Sequence, residues 1–335
     1  MKRYGYLFDK VCNRGNILTA HKMASKKKHH YSQVIEVEKD LDNKIQKIKT
    51  MLENNTYVLN QSDYTLKIIN DNGKERELYK LDYFPHRIIQ WAIMNVIMPI
   101  FMKNYSNKTY ASLKGRGIHL ALKNIRKALK HDKENTLYCY KIDVKKFYPN
   151  INNEILYKKL KRKFKDKKLL NLLHIIIFSM GKKGLPIGSL LSQYLANYYL
   201  SSFDHYCKEV MKLKHYYRYM DDIVVLAKDK KQLHEINKHF HKVLEKYFDL
   251  KIKENWQIFS VDIRGIDFIG YRLFRDKTIL RKRIYKKARY VFSREYKHKA
   301  LPSYYGWCKH ANVKTFMNKH RVLEKMGKVK HDTDR

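Results

Sequence analysis

The chain has 335 residues with 72 Lys+Arg against 32 Asp+Glu, a formal net charge of +40 at pH 7. Its 44% hydrophobic and 13% aromatic residues are enough to build a core, which excludes a disordered basic tail, and at ~100–200 residues per domain it should hold two or three subdomains. Self-repulsion on this scale points away from an ordinary small-molecule enzyme and toward a polyanionic partner, nucleic acid first and a membrane surface second.

In chain order, the N-terminus MKRYGYLFDKVC has no apolar signal core. Residues 33–54 place Val34, Ile35, Val37, Leu41, Ile45, Ile48, Met51 and Leu52 at helical spacing and read as one helix. Extended runs follow at Tyr57–Leu59 and Tyr64–Ile69, then an Asp71-Asn72-Gly73 turn and a partner run Arg76–Leu81. An apolar helix runs from Pro85 to about Met102. Asn95 and Pro99 interrupt its apolar stretch, and His174 interrupts Leu172–Phe178, so both fall short of the ~18–20 residues of a membrane span. Residues 115–130 form an amphipathic helix entered through Gly115-Arg116-Gly117. Leu137–Val144 reads as a strand, and Asn150 or Asn152 caps a helix starting near Asn153.

The stretch 158–168 holds eight Lys/Arg and one acid, either a solvated helix face or a nucleic-acid contact. Ser189–Phe203 is helical, with Leu191, Leu195, Tyr199 and Phe203 at i,i+4 spacing. Tyr216–Tyr219 and Ile223–Leu226 are short strands flanking Met220-Asp221-Asp222 as a hairpin. Leu233–Phe248 is amphipathic, and Phe268–Phe274 is an apolar hairpin element. Residues 275–300 then hold eleven Lys/Arg against two acids, the clearest boundary for a C-terminal subdomain. Cys12, Cys139, Cys207 and Cys308 stand far apart without zinc-ligand spacing, so they are expected to be reduced and buried in a cytoplasmic protein.

The chemistry gathers at Tyr219-Met220-Asp221-Asp222. Phosphoryl transfer to a nucleotide uses two divalent ions, one activating the attacking hydroxyl and the other neutralising the triphosphate. Mg²⁺ takes a few carboxylates and fills its shell with water and substrate oxygens. Carboxylates at a tight turn project free of a sheet toward a substrate. A polar turn would also favour Asp, so a partner carboxylate is needed. Asp143 supplies it at the end of its strand, able to lie beside the hairpin tip if the two elements are sheet neighbours. Five residues on, Tyr148 can either crowd the 2′ position of an incoming nucleotide or simply pack in the Phe147-Tyr148-Pro149 cluster.

Seven segments in order carry a family resemblance: KERELYKLDYFPHRIIQWAIMNVIMPIF (74–101), YASLKGRGIHLAL (110–122), YKIDVKKFYPNINNEIL (140–156), LPIGSLLSQYLANYYL (185–200), YRYMDDIVVLA (217–227), FIGYRL (268–273) and SYYGWCKHAN (303–312). On these the chain resembles reverse transcriptases of the bacterial retroelement type. The resemblance implies an α+β right-hand polymerase. Its N-terminal region and fingers would be 1–136, and its palm 137–274, with an antiparallel sheet carrying the YMDD hairpin and inserted fingers helices at about 150–186. A basic helical thumb would be 275–335, and the reverse transcriptase domain about 50–275.

The resemblance further implies that Asp143, Asp221 and Asp222 are catalytic and bind two Mg²⁺ ions, with Mn²⁺ as a substitute and Val144 contributing its backbone carbonyl. It assigns nucleotide binding to Lys74, Arg76, Lys114, Arg116, Tyr148, Ile187, Gly188 and Gln193. It assigns primer and template binding to Met220, Gly270, Tyr271, Lys282 and Arg283, with Gly270 letting the primer backbone approach. Leu113 departs from the Arg usual in relatives, so Lys114 or Arg116 would take over that triphosphate contact. Ile187 and Gln193 depart from the usual QGxxxSP, and IGSLLSQ looks like the reverse transcriptases of diversity-generating retroelements. Those enzymes copy a template-repeat RNA with errors at adenine to diversify a variable gene. The implied partners are template RNA, an RNA/DNA duplex, dNTPs and a small basic accessory variability protein, with no membrane. By its length the chain is expected to lack an RNase H, maturase or endonuclease domain. The competing readings are another bacterial reverse transcriptase (retron, group II intron-like or antiphage) and a non-catalytic RNA-binding scaffold.

Overall fold

The computed structural model describes residues 2–70, 75–294 and 298–333. Its strands are β1 (Tyr64–Asn70), β2 (Glu75–Leu81), β3 (Tyr138–Asp143), β4 (His215–Tyr219), β5 (Asp222–Ala227), β6 (Gln257–Ser260), β7 (Ile266–Phe268), β8 (Tyr271–Leu273) and β9 (Thr278–Leu280). They form three antiparallel sheets, β1-β2, β4-β5-β3-β6 and β7-β8-β9. Among the described residues no helix is long and apolar enough to cross a membrane. All four cysteines are buried and free of disulfides.

The chain divides into two compact units. The first comprises residues 1–113, 144–211 and 241–252. It is mostly helical around the apolar helix Ile88–Asn104, whose Ile88, Ile89, Ala92, Ile93 and Ile97 are fully buried. Where the sequence predicts one helix over 33–54 there are two, Ser32–Lys39 and Leu41–Glu53, because Asp40 leaves helical geometry at φ −139°. The run Tyr57–Leu59 forms no strand; Tyr57 and Leu59 bury their side chains from an irregular segment. The predicted Asp71-Asn72-Gly73 turn lies outside the described residues, while the runs on either side of it form β1 and β2, paired antiparallel from Tyr64↔Leu81 to Asn70↔Glu75. Asn152, rather than Asn150, caps the helix Asn153–Lys163, accepting bonds from the Glu154 and Ile155 amides.

The basic stretch 158–168 is not one helical face. Its first helix ends at Lys163 and the next begins at Lys167. Lys163 is buried and donates to Asn104 Oδ1 at 3.1 Å, and Lys159 donates to Ser202 Oγ at 2.7 Å, so part of this charge serves the unit's own packing. Lys158, Lys161, Arg162, Lys165, Lys167 and Lys168 remain exposed.

The second unit comprises residues 114–143, 212–240 and 253–335. Its four-stranded sheet places β5 and β3 at the centre, which is why Ile223–Ala227 are all buried and the strand reads as a continuous apolar run. Tyr140 on β3 packs against Phe240 and donates to Asn237 Oδ1 at 2.6 Å. The amphipathic helix Ile118–His131 follows Gly117 as predicted. The apolar element near Phe268–Phe274 is larger than a hairpin, since β9 adds a third strand through Tyr271↔Leu280.

Candidate active site

The second unit brings two of the predicted carboxylates together by strand register. β3 pairs with β5 so that Asp143 stands opposite Asp222, and β4 pairs with β5 so that Tyr219 stands opposite Asp222 on the other side. The connection between β4 and β5 is only Met220-Asp221, and this tight turn holds Met220 at φ +57°. Arg218, fully buried, donates to the Met220 carbonyl at 2.8 Å and fixes the tip. Asp221 is half-buried in the turn itself.

Lysines surround these carboxylates. Lys253 forms an ion pair with Asp143, and its amide donates to the Asp143 carbonyl at 2.9 Å. Lys141, two residues before Asp143 and so on the same sheet face, has Nζ 3.9 Å from Asp222 Oδ2 and donates to the Asp267 carbonyl at 2.6 Å. Arg281 pairs with Asp267. Sequence reasoning missed all three cations. Lys141 carried a signal in its two-residue spacing from Asp143, whereas Lys253 and Arg281 reach the site only through the fold.

Asp222 is strongly perturbed. Burial pushes its carboxyl up to about 7; the Asp143 and Asp221 charges push the same way, and Lys141 and Arg281 oppose them. Its Oδ1 is buried with no hydrogen-bond partner. An ordinary site would not leave a carboxylate oxygen orphaned among like charges. Among the described residues no three Asp, Glu, His or Cys side chains converge into a ready-made metal cage. The donor set nevertheless fits a hard divalent ion, which takes one or two carboxylates and completes its shell with water and substrate oxygens.

A stability effect follows. Because the folded pKa of Asp222 lies above that of a free carboxyl, its contribution is intact below about pH 4 and is lost as pH rises through about 7. Asp222→Asn cannot ionise. In chelator, its thermal stability relative to the parent chain should rise by on the order of 2–4 kcal/mol between pH 4 and pH 8. A pH-independent difference in thermal melts would contradict the assigned burial of this charge.

The remaining predicted residues divide between the units. In the first unit, the Leu185 amide donates to the Tyr148 carbonyl at 3.0 Å and the Tyr79 amide of β2 donates to the Ile187 carbonyl at 2.8 Å. Tyr148, Ile187 and Gly188 thus belong to one neighbourhood with β2, which also carries exposed Arg76. Gly188, at φ +124°, has no room for a side chain, because a Cβ would lie 2.9 Å from the Tyr79 carbonyl. Gln193 is half-buried, and Val144 is buried in a bridge to Ile252. Leu113 is buried, 5% exposed, so its side chain does not present a contact to ligand. Lys74 lies outside the described residues.

In the second unit, Lys114, Lys282 and Arg283 are exposed and Arg116 is half-buried. Above Gly270 (φ +92°) stands Trp307, 2.5 Å from where a Cβ would sit, so a side chain has no room there. Tyr271 is fully buried and donates to the Trp307 carbonyl at 2.9 Å.

The sequence matches the family model described as "Reverse transcriptase (RNA-dependent DNA polymerase)" over residues 68–273. It is 24% identical over 249 residues to "Protein YkfC" of Escherichia coli (strain K12), covering 62% of this chain and 65% of that one. It is 30% identical over 173 residues to "Retron Ec73 reverse transcriptase" of Escherichia coli, covering 47% of this chain and 51% of that one. The chain therefore spans about half to two thirds of these curated relatives. Among solved structures, telomerase from Candida albicans in complex with a fragment of telomeric RNA is similar in fold, with a TM-score of 0.50 and 12% identity over 69% of this chain and 50% of that one.

Proposed function

The chain belongs to the reverse transcriptase family, and from that premise we propose that it is an RNA-directed DNA polymerase that copies a template-repeat RNA into cDNA with adenine-selective errors. The observation that carries the polymerase reading is the register that sets Asp143 opposite Asp222, one residue from Asp221 at the hairpin tip. The competing RNA-binding scaffold has no use for a carboxylate oxygen held buried and unpartnered.

On this reading Asp143, Asp221 and Asp222, with the Val144 carbonyl, would hold two Mg²⁺, or Mn²⁺ in its place, which would supply activation of the primer hydroxyl and neutralisation of the triphosphate charge. The chain's own residues do the positioning. Buried Arg218 and the Met220 turn fix where Asp221 projects. Lys141 and Lys253 offset the negative charge of Asp222 and Asp143. Lys74, Arg76, Lys114 and Arg116 contact the triphosphate, a task suited to point charges and forked donors. Tyr148, Ile187, Gly188 and Gln193 shape the nucleotide's surroundings, while Lys282 and Arg283 on the exposed face of the helix Lys282–Phe292 bind the duplex backbone. Fingers (1–136), palm (137–274) and thumb (275–335) are the proposed division, in a cytoplasmic enzyme that works with a small basic accessory protein.

The diversity-generating role rests on IGSLLSQ. A Gln at position 187 could hydrogen-bond the incoming nucleotide and hold its base pair square, whereas Ile187 can only pack. One such bond is worth about 0.5–1.5 kcal/mol, a factor of roughly 2–10 in selection. Ile187→Gln should therefore lower misincorporation opposite template adenine by up to about ten-fold, read by sequencing cDNA from a defined RNA template. An unchanged error spectrum would remove position 187 from the account. A retron-type enzyme is the second reading, favoured by the similarity to the Ec73 protein. It predicts ordinary fidelity on the same template.

A further inference from the structure

A cavity of about 480 Å³ opens in the first unit, lined by Lys28, by Tyr31–Val34, by β2, by the start of the helix Ile88–Asn104 and by Gly188–Leu191. Its size falls in the ~300–1,000 Å³ range of small-ligand sites. Tyr79 and Trp91 give the wall aromatic surface, and Lys28 and Arg87 give it positive charge. Among the described residues neither cation has a carboxylate within ion-pair distance. Burial and the nearby Arg87 charge both push the Lys28 ammonium down from its ordinary value, and an anion between the two would relieve that repulsion.

Gln90 lines the same cavity and is 6% exposed. Its Oε1 accepts from Ser189 Oγ at 2.6 Å, and its Nε2 is buried without a partner. Turning the amide over would exchange the two ends and still leave one unsatisfied. A buried amide end left unpaired costs about 1–3 kcal/mol, so a ligand that satisfies it gains both affinity and specificity.

We propose that this cavity binds one unpaired nucleotide of a single-stranded RNA, its base stacked on Trp91 and hydrogen-bonded by Gln90, its phosphate between Lys28 and Arg87. Aromatic stacking with a cationic backbone contact is how proteins hold single-stranded nucleic acid. The cavity also shares its wall with the IGSLLSQ segment through the Tyr79–Ile187 backbone bond. A strand anchored there is held beside Ile187. The choice of RNA over another polyanion rests on the reverse transcriptase reading; the pocket chemistry does not.

The test compares binding of the full chain to a short single-stranded RNA, to an abasic oligomer of the same length, and to AMP as the free nucleotide. The base-bearing RNA should bind about ten-fold more tightly than the abasic one. Trp91→Ala and Gln90→Leu should each remove most of that preference while leaving abasic binding within about two-fold, and AMP should compete far more weakly than RNA. An equal preference in the parent and both variants, or AMP competing as well as RNA, would overturn the proposal. Crosslinking of 4-thiouridine RNA to the unsubstituted chain needs no variant: adducts on the peptide holding Trp91 support the site, and adducts only elsewhere refute it. Because these measurements read binding and not synthesis, an inactive polymerase leaves them intact, and their failure leaves primer extension intact.

Discussion

Primer extension on an RNA template should fall by ~10³-fold or more in the Asp221→Ala/Asp222→Ala chain, while RNA binding changes by less than about three-fold. The reasoning is energetic. A factor of 10³ is about 4 kcal/mol of transition-state stabilisation, within reach of losing two carboxylates in the proposed role of ligands to a charge-neutralising divalent ion. The structure gives no reason for the fold to suffer. Asp221 lies in a two-residue turn whose geometry is held by Arg218 on the Met220 carbonyl, and Asp222 contributes a buried, unpartnered oxygen that Ala removes. The double variant should therefore be at least as stable as the parent near pH 8. Normal synthesis by it would remove the carboxylates from the mechanism. Lost synthesis together with lost folding would instead indicate a structural role for the turn.

RNA affinity should fall by ~10³-fold between 50 and 200 mM salt, the slope expected when several phosphates are neutralised by Lys and Arg. With 72 Lys+Arg against 32 Asp+Glu, the surface leaves most cations without an acidic partner. Many resolved ion pairs are exposed ones, such as Lys238–Glu235 and Lys251–Glu245, and these contribute little to stability. Filter binding or anisotropy across a salt series reads the slope directly. A flat dependence would mean that the basic faces, including Lys282, Arg283 and the exposed lysines of 158–168, do not track a nucleic-acid backbone.

Much of this arrangement is legible in the chain. β5 announces itself as an apolar run and β3 by its alternation, and the hairpin at Met220-Asp221-Asp222 is legible from its flanking strands, although Asp222 already pairs in β5 and leaves only Met220-Asp221 as the connection. The pairing of Asp143 with Asp222 could be stated only conditionally, since no local pattern says which strands are neighbours. Where the reading failed, the cause is tertiary. Asp40 breaks a helix whose apolar spacing continues across it. Gly270 and Tyr271 pack on Trp307, more than thirty residues away, a neighbour no local pattern announces. Lys253 meets Asp143 across 110 residues of sequence, a contact no periodicity encodes.

The central claim is that this chain synthesises DNA on RNA at the Asp143, Asp221 and Asp222 carboxylates, with loosened selection opposite adenine. It is tested most directly by sequencing the cDNA made by the full chain with Mg²⁺ on an adenine-containing RNA template. The account predicts ion-dependent cDNA whose errors concentrate opposite adenine. Absence of any cDNA with Mg²⁺ or Mn²⁺ would contradict the polymerase assignment, and accurate cDNA would contradict the diversity-generating role.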